Sequence, residues 1–309
     1  MHVLVTGANG YLGSVLIPML KTSKTVTRVT ALVRQPQRFT EGRYAYLDGV
    51  AIMDTEDLLS GKCSFDGVNV VCHLAASRNS NVPGDIADFM GFTHTLLIQL
   101  TRSRVNAVIN TSSQAVYGLT NPIWAEESPA APATIYGMAK LATEFMVKSA
   151  SLASPPVGTI SLRLSKLVGP SPNMRIAPSE YPHIFSKAAL LGQALRMKNN
   201  GDQKLDFMDV RDAAAVIVRL IETGSKTWPE IMNVGSGQQV SMAATASLVS
   251  NIARTQYGKP LQIDFTPTVN KYRNFGMSIS RLEKLLQWKA HYTLDKTIGD
   301  VLKTLNRPV

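Results

Sequence analysis

Short apolar segments alternate with longer amphipathic segments through the first 165 residues of the chain. The short segments predict strands at about 2–6, 27–33, 50–53, 68–74, 105–111 and 157–163. Between them, apolar positions recur at helical spacing, most clearly at about 11–22, 84–103 and 134–151. This alternation of strand and helix predicts a parallel sheet that is covered by helices on both faces.

After Leu164 the pattern becomes less regular. Four prolines fall between residues 170 and 183, and proline is excluded from the interior of helices and sheets, so regular structure is not expected there. Residues 207–223 have the pattern of a strand end that enters a helix, and residues 231–234 have that of another strand. Helical patterns also occur at about 184–198, 241–256 and 278–287.

These patterns predict an α/β fold, a Rossmann-type doubly wound parallel sheet with a smaller, discontinuous C-terminal substrate domain. We expect residues 1–169 and 205–236 to form the dinucleotide-binding domain. Residues 170–204 and 237–309 are expected to form the substrate-binding domain.

The composition, 45% hydrophobic, is that of a soluble globular protein. No apolar run approaches the roughly 20 residues of a membrane helix, and the N-terminus has no signal-peptide pattern. The two cysteines, Cys63 and Cys72, have no partner at a metal-ligand spacing, and free thiols are typical of a reducing compartment. We therefore expect a cytoplasmic protein with no membrane partner and no metal site.

The net charge of +10 raises the question of nucleic-acid binding. The basic residues are scattered, however, without a long run or interleaved aromatic residues. Anionic cofactors and substrates account for the charge equally well, so no nucleic-acid partner is expected.

Three glycines at three-residue spacing follow the first predicted strand and open the first predicted helix, as Gly7, Gly10 and Gly13. Glycine permits a tight turn and a close approach of the backbone to a diphosphate, and the free N–H groups of the helix then face that anion. Because the triplet lies at the first strand–helix junction, it predicts a dinucleotide site rather than a plain turn. The residues expected there are Gly7, Asn9, Gly10, Tyr11, Leu12 and Gly13.

The end of the second predicted strand carries Arg34, with no acidic residue before Glu41. NAD-binding domains usually place an acid near this position for the ribose hydroxyls. A guanidinium instead attracts a 2′-phosphate, so the sequence predicts NADP, with NAD as the less favoured cofactor. The alternative is a solvated loop arginine.

Candidate catalytic groups follow the fifth predicted strand, which ends in Ser112 and Ser113 and therefore delivers them to the cofactor crevice. Tyr136 and Lys140 lie downstream at i and i+4 on one helix face. A nearby ammonium and the positive nicotinamide both lower the pKa of a phenol, which is near 10 in model peptides. Tyr136 would then exchange a proton with a substrate oxygen, Ser113 would hydrogen-bond that oxygen, and Lys140 would also hold the nicotinamide ribose.

Taken together, the ordered motifs resemble the extended short-chain dehydrogenase/reductases of the epimerase/dehydratase branch along nearly the whole chain. The matching segments are GxxGxxG at 7–13, Val71–Ala76, the "SSxxVYG" segment at 112–118, Glu126–Pro129, the YxxxK pair, Arg163 with Gly169–Pro170, Asp206–Asp212, Asn233–Gly237 and Leu285–Lys289. Counted back from Tyr117, the family's catalytic hydroxyl falls on Ser113. The resemblance also implies cofactor contacts from Leu74, Ala75, Ala76, Thr111 and Ser112, and a homodimer.

The chain departs from this family at several positions. Lys166 stands where the family has an asparagine, and Leu205 where it has an arginine. Arg273 is the nearest counterpart of its C-terminal diphosphate clamp, so Lys166 and Arg273 are the predicted substrate-binding residues. The adenine-binding aspartate after the third strand is expected to be replaced by Ala51.

Gln114 and Ala115 stand where the family's 4,6-dehydratases have an acidic pair, which argues against water elimination. These observations favour an NADP-dependent carbonyl reductase or dehydrogenase that acts on a nucleotide-linked keto sugar or on a small secondary-metabolite ketone. One alternative is a nucleotide-sugar epimerase with transient oxidation. Another is a catalytically silent NADP-binding sensor.

Overall fold

The computed structural model describes residues 1–37, 42–76, 82–119, 123–172, 180–197, 201–266 and 274–306. Its helices are α1 (Tyr11–Thr22), α2 (Thr55–Leu59), α3 (Pro83–Arg102), α4 (Ile135–Ser149), α5 (Tyr181–Leu191), α6 (Val210–Thr223), α7 (Met242–Tyr257), α8 (Ser280–Leu286) and α9 (Leu294–Leu305). None of the helices in these ranges is both long enough and apolar enough to span a bilayer.

The strands fall into one large sheet and several short pairs. They are β1 (His2–Thr6), β2 (Arg28–Val33), β3 (Ala51–Asp54), β4 (Val70–His73), β5 (Ala107–Ser113), β6 (Ile123–Trp124), β7 (Gly158–Leu164), β8 (Lys166–Val168), β9 (Leu195–Met197), β10 (Lys204–Leu205), β11 (Phe207–Asp209), β12 (Ile231–Val234), β13 (Val240–Ser241), β14 (Ile263–Phe265) and β15 (Gly276–Met277).

The large sheet has seven parallel strands in the order β12-β7-β5-β4-β1-β2-β3. The chain builds outward from β1 to β3 and then returns to β4 on the other side of β1. This reversal is a topological switch point, where doubly wound sheets bind ligands beyond the carboxyl ends of their strands. The predicted Rossmann-type fold is therefore confirmed.

Both faces of the sheet are buried under helices. One face packs against α1 and α6, with Leu16 and Ile217 in its core, and the other packs against α3 and α4, with Leu100 and Val147. Strands that are covered on both sides must be apolar throughout, which explains their nearly continuous hydrophobic sequence.

A separate apolar cluster joins α5, α7 and α9 in the C-terminal part. Phe185 of α5, Val249 of α7 and Ile298 of α9 are fully buried there. The cluster also includes Val168 and Leu205, which lie at the borders of the two predicted domains. The division into a dinucleotide domain and a substrate domain stays a prediction.

The helix predicted at 184–198 is wrong at both ends. α5 begins at Tyr181, because Pro182 lies in the first turn, where a missing N–H costs no hydrogen bond. The helix ends at Gly192, which adopts a left-handed conformation with φ 64°. Beyond it, Leu195–Met197 forms strand β9, paired with β14.

Candidate active site

A cleft of about 2200 Å³ opens beyond the carboxyl ends of the central strands. Most of the residues predicted from the sequence line it, including the phosphate loop, the serine pair and the Tyr–Lys pair. They are Gly7, Asn9, Gly10, Tyr11, Leu12, Arg34, Leu74, Ala75, Ala76, Thr111, Ser112, Ser113, Tyr136, Lys140 and Lys166. Gly13 lies behind the loop, and Arg273 lies outside the described residues. The structure thus brings separately predicted groups into one cleft.

The glycine loop leaves no room for side chains. Gly7 has φ +65°, and a Cβ there would lie 2.8 Å from the backbone nitrogen of Ala75. A Cβ on Gly13 would lie 2.4 Å from the carbonyl oxygen of Gly7, so the helix packs directly on the loop. Gly10 caps α1 without a side chain, which leaves the first N–H groups of the helix open to the cleft. This arrangement fits the diphosphate of a dinucleotide.

Tyr11, the first residue of α1, connects the loop to a distant segment. Its hydroxyl donates to the carbonyl oxygen of Gly169 at 2.6 Å. His183 of α5 lies against the Tyr11 ring with an edge-on geometry, 5.9 Å between centroids. Burial raises the pKa of Tyr11, so it remains a neutral donor.

The outer end of the cleft contains two charged groups at neighbouring strand ends. Arg34 follows β2 and is exposed, and Asp54 ends β3. Asp54 accepts a hydrogen bond from the backbone N–H of Glu56 at 3.1 Å and so caps α2. Ala51 is the first residue of β3, at the amino end of the strand. The expectation that Ala51 replaces an acidic residue is therefore wrong, because Asp54 supplies a carboxylate at the carboxyl end.

The two serines at the end of β5 have different surroundings. Ser112 is buried, and its hydroxyl donates to Glu144 at 2.5 Å. Ser113 accepts from the N–H of Ala115 at 3.2 Å and also hydrogen-bonds Tyr136. Ser112 is therefore committed to Glu144, whereas Ser113 lies beside Tyr136 in the cleft.

Tyr136 and Lys140 lie in the first turns of α4, which Thr134 caps by accepting from the N–H of Gly137 at 3.0 Å. The Lys140 ammonium is buried and donates to the carbonyl oxygen of Thr111 at 2.7 Å. It lies 6.0 Å from the centroid of the Tyr136 ring. Burial lowers the pKa of Lys140 to about 8, and the opposing charge of Glu144 limits this fall.

The pKa of the Tyr136 phenol depends on the protein groups around it. Burial raises the pKa of its phenol, the hydrogen bond with Ser113 partly opposes this rise, and the negative charge of Glu180 adds to it. The protein's own groups therefore raise this pKa, and its lowering by Lys140 together with a positive nicotinamide stays a prediction. Tyr136 holds its proton until other charges enter the cleft.

A buried ion pair lies directly behind these groups. Glu144 accepts from Nε of Arg163 at 3.0 Å and from its Nη2 at 2.8 Å, and both residues are buried. The Arg163 guanidinium also lies over the ring of Tyr117, 4.6 Å from its centroid. Glu144 was not among the residues predicted from the sequence, although it lies four residues after Lys140 and therefore on the same helix face.

Lys166, the predicted substrate residue, is paired with an acid that the sequence analysis also missed. Its ammonium lies 2.9 Å from Oε2 of Glu180, just before α5, and both side chains line the cleft. No short-range spacing signals this contact, because the two residues belong to different elements.

Leu205 stands at the position where the family resemblance implies an arginine, and its surroundings are apolar. Leu205 is buried, lines the cleft, and forms a bridge with Phe275. The described part of the cleft therefore has no arginine beside Asp206.

The sequence model of the NAD dependent epimerase/dehydratase family matches residues 3–235. The chain belongs to this family. It is therefore an NAD(P)-dependent enzyme of the extended short-chain dehydrogenase/reductase type, as predicted.

Other members of the epimerase/dehydratase family are similar to this chain at low identity. A dTDP-L-rhamnose 4-epimerase from Burkholderia thailandensis is 25% identical over 58% of this chain, and the match spans about half (48%) of that relative's length. A probable UDP-arabinose 4-epimerase from Arabidopsis thaliana is 25% identical, over 94% of this chain and 77% of its own.

Among solved structures, the UDP-glucuronic acid 4-epimerase from Bacillus cereus, in complex with UDP-glucuronic acid and NAD, has a TM-score of 0.80. The two chains are 22% identical, and the match covers 99% of each of them. This likeness shows the shared fold. The relatives named here are epimerases, so the comparisons favour the epimerase alternative over the carbonyl reductase that the sequence analysis preferred.

Proposed function

We propose that this chain is a nucleotide-sugar 4-epimerase that retains NAD. The observation that carries the proposal is the meeting of Ser113, Tyr136 and Lys140 in the same cleft as the Gly7 loop. Epimerase relatives that align with almost the whole chain support it.

The cleft residues divide between the two halves of a dinucleotide. Backbone groups at Gly7, Gly10 and Leu12 would hold the diphosphate, and Asp54 would face the adenosine end. Leu74 and Thr111, at the ends of the central strands, would lie along the nicotinamide half. NAD held there would supply the hydride acceptor for oxidation of the sugar at C4 and the hydride donor for the reverse reduction.

Tyr136 would handle the proton of the sugar C4 hydroxyl. To accept that proton as the sugar is oxidised it must be a phenolate, and burial and the charge of Glu180 oppose this form by raising its pKa. Lys140 remains mainly cationic at neutral pH, and a positive charge near the phenol favours the phenolate. The Ser113 hydroxyl hydrogen-bonds Tyr136 and would hold the same substrate oxygen during proton transfer.

NAD rather than NADP is the cofactor that we propose. The exposed Arg34 at the end of β2 does not by itself decide between the two cofactors, so the choice of NAD is supported by the comparisons. The solved relative binds NAD. Titration of the cofactor-free protein should give tighter binding of NAD than of NADP, and tighter binding of NADP would restore the assignment made from Arg34.

We also propose a homodimer. The α4 residues Ile135, Met138 and Phe145 are 49%, 56% and 64% exposed and share one helix face. A second copy of this face would bury them. The cytoplasmic location stays a prediction.

The proposed activity is tested by incubating purified protein with UDP-galactose, and separately with UDP-arabinose. Interconversion of the C4 epimers without net reduction or oxidation of added cofactor is expected. Stoichiometric NADPH oxidation with a keto substrate would instead identify a reductase. Tight cofactor binding without turnover of any sugar nucleotide or ketone would identify a sensor.

A further inference from the structure

We propose that Lys166 and Glu180 form a charge-neutral specificity pair, which admits nucleotide sugars with an uncharged sugar and rejects uronic acids. In a uronic acid, a carboxylate replaces the C6 hydroxymethyl group. This inference rests on the proposed epimerase function and narrows its substrate class.

The pair lies on the reactive side of the sheet. Ser113, the last residue of β5, pairs in register with Leu164, the last residue of β7. Lys166 follows two residues later and begins β8. Lys166 therefore stands just beyond the strand ends that carry the reactive hydroxyl. Asp54 lies on the opposite side of the switch point, at the end of β3.

The pair also reaches the reacting group electrostatically. Glu180 and Tyr136 line the same cleft, and the charge of Glu180 raises the pKa of the Tyr136 phenol. Because these residues line one cleft, we infer that a sugar whose C4 hydroxyl contacts Tyr136 places its neighbouring substituents toward Glu180 and Lys166. The C6 group is attached to C5, next to C4, and is one of these substituents.

The pair has donors and acceptors left for hydroxyl groups. Lys166 and Glu180 remain 28% and 21% exposed around their 2.9 Å contact. The ammonium has three donors and the carboxylate has about four acceptor sites, so one ion-pair contact leaves most of them available. A neutral sugar can use these groups without separating the charges.

The carboxylate of a uronic acid would add a negative charge to the neutral pair of Lys166 and Glu180. The carboxylate of a uronic acid can bind Lys166 only by sharing or displacing Glu180. Either arrangement places two carboxylates around one ammonium, and a like charge at this range disfavours the ionised form of both. Because the pair is only partly exposed, water screens this repulsion less than at an open surface.

Neutralising Glu180 and neutralising Lys166 should have opposite effects on the discrimination against a uronic acid. Glu180→Gln removes the repelling charge and frees the ammonium, so binding of a uronic acid should improve. Lys166→Gln leaves Glu180 unpaired, so the discrimination against a uronic acid should increase. A purely structural contact would affect neutral and acidic sugars alike.

Calorimetric titration of the NAD-loaded protein with UDP, UDP-glucose and UDP-glucuronic acid tests the proposal. The wild type should bind UDP-glucose at least tenfold more tightly than UDP-glucuronic acid. Glu180→Gln should reduce this ratio to below threefold, and Lys166→Gln should raise it. Glu230→Gln is the matched control, since Glu230 is paired with Lys148 outside this cleft and should leave the ratio unchanged.

Equal affinities of the wild type for UDP-glucose and UDP-glucuronic acid would overturn the specificity proposal alone. So would an unchanged ratio in Glu180→Gln that still binds UDP. If the wild type binds neither UDP nor either UDP-sugar, the proposed epimerase function fails, and the specificity pair fails with it.

Discussion

Replacing Glu144 by glutamine should strongly destabilise the fold, although the side chain barely changes size. Glu144 and Arg163 are 6% and 3% exposed, and the carboxylate accepts three hydrogen bonds from Ser112 and Arg163. The amide removes the negative charge and leaves the guanidinium buried without a counterion. Breaking a buried pair in this way costs about 3–5 kcal/mol. Whole domains have a free energy of unfolding of about 5–15 kcal/mol, so the loss is a large share.

Urea unfolding of wild type and variant measures this difference by linear extrapolation. Glu230→Gln is the control, because Glu230 and Lys148 form an ion pair at 2.8 Å with side chains about half exposed (49% and 51%). A pair of this kind contributes about 0–1 kcal/mol. An equal decrease in the free energy of unfolding of Glu144→Gln and Glu230→Gln would refute the conclusion that burial makes the Glu144 pair costly to break.

The double variant Glu144→Gln/Arg163→Met separates the charge from the packing. Removing the orphaned guanidinium should recover part of the stability lost in Glu144→Gln, because a buried unpaired charge costs more than an apolar replacement. A double variant less stable than Glu144→Gln would show that the stacking of Arg163 on Tyr117 matters more than its charge.

Three other predictions follow from the cleft and the helices around it. Tyr136→Phe should keep NAD affinity and lose about 10²–10⁴-fold in kcat, and near-normal turnover would remove the phenol from the mechanism. Lys140→Met should raise the free energy of unfolding of cofactor-free protein by about 1 kcal/mol at pH 7, since burial of the ammonium costs more than its hydrogen bond to Thr111 returns. Below about pH 8, Lys140 is charged in the folded and in the unfolded protein, and above about pH 10.5 it is neutral in both. The stability gained by Lys140→Met should therefore fade as the pH rises from about 8 to about 10.5. A gain that does not change with pH would contradict this prediction. Phe145→Glu should elute as a monomer in size-exclusion chromatography where the wild type elutes as a dimer, and an unchanged elution volume would exclude this face.

The central sheet was predictable because its strands are apolar and separated by helices with a clear period. The predicted bounds of α1, 11–22, agree with the structure, since the glycine loop marks its start. The strands of two or three residues, such as β8 and β10, were missed, because so few residues show no periodicity. Helix α9 was missed as well, although it has a clear apolar face of Ile298, Val301 and Leu302.

The candidate site was predictable where its groups are linked by local spacing. Tyr136 and Lys140 lie one helical turn apart, and Ser113 ends a strand, so their shared location follows from regular geometry. The contact between Lys166 and Glu180 depends on the path of the chain between β8 and α5, which no spacing rule specifies. The protonation of Tyr136 depends on burial, which requires the three-dimensional structure.

The hydrogen bond from Tyr11 to Gly169 has a consequence for how the protein is made. Its partners are separated by 158 residues. At a synthesis rate of about 5–20 residues per second, Gly169 is added to the nascent chain about 8–30 s after Tyr11. During this interval β1 can already pair with β2 and then with β4, while the tyrosine at the start of α1 lacks its acceptor. The first residue of α1 therefore gains this hydrogen bond only after more than half of the polypeptide has been synthesised.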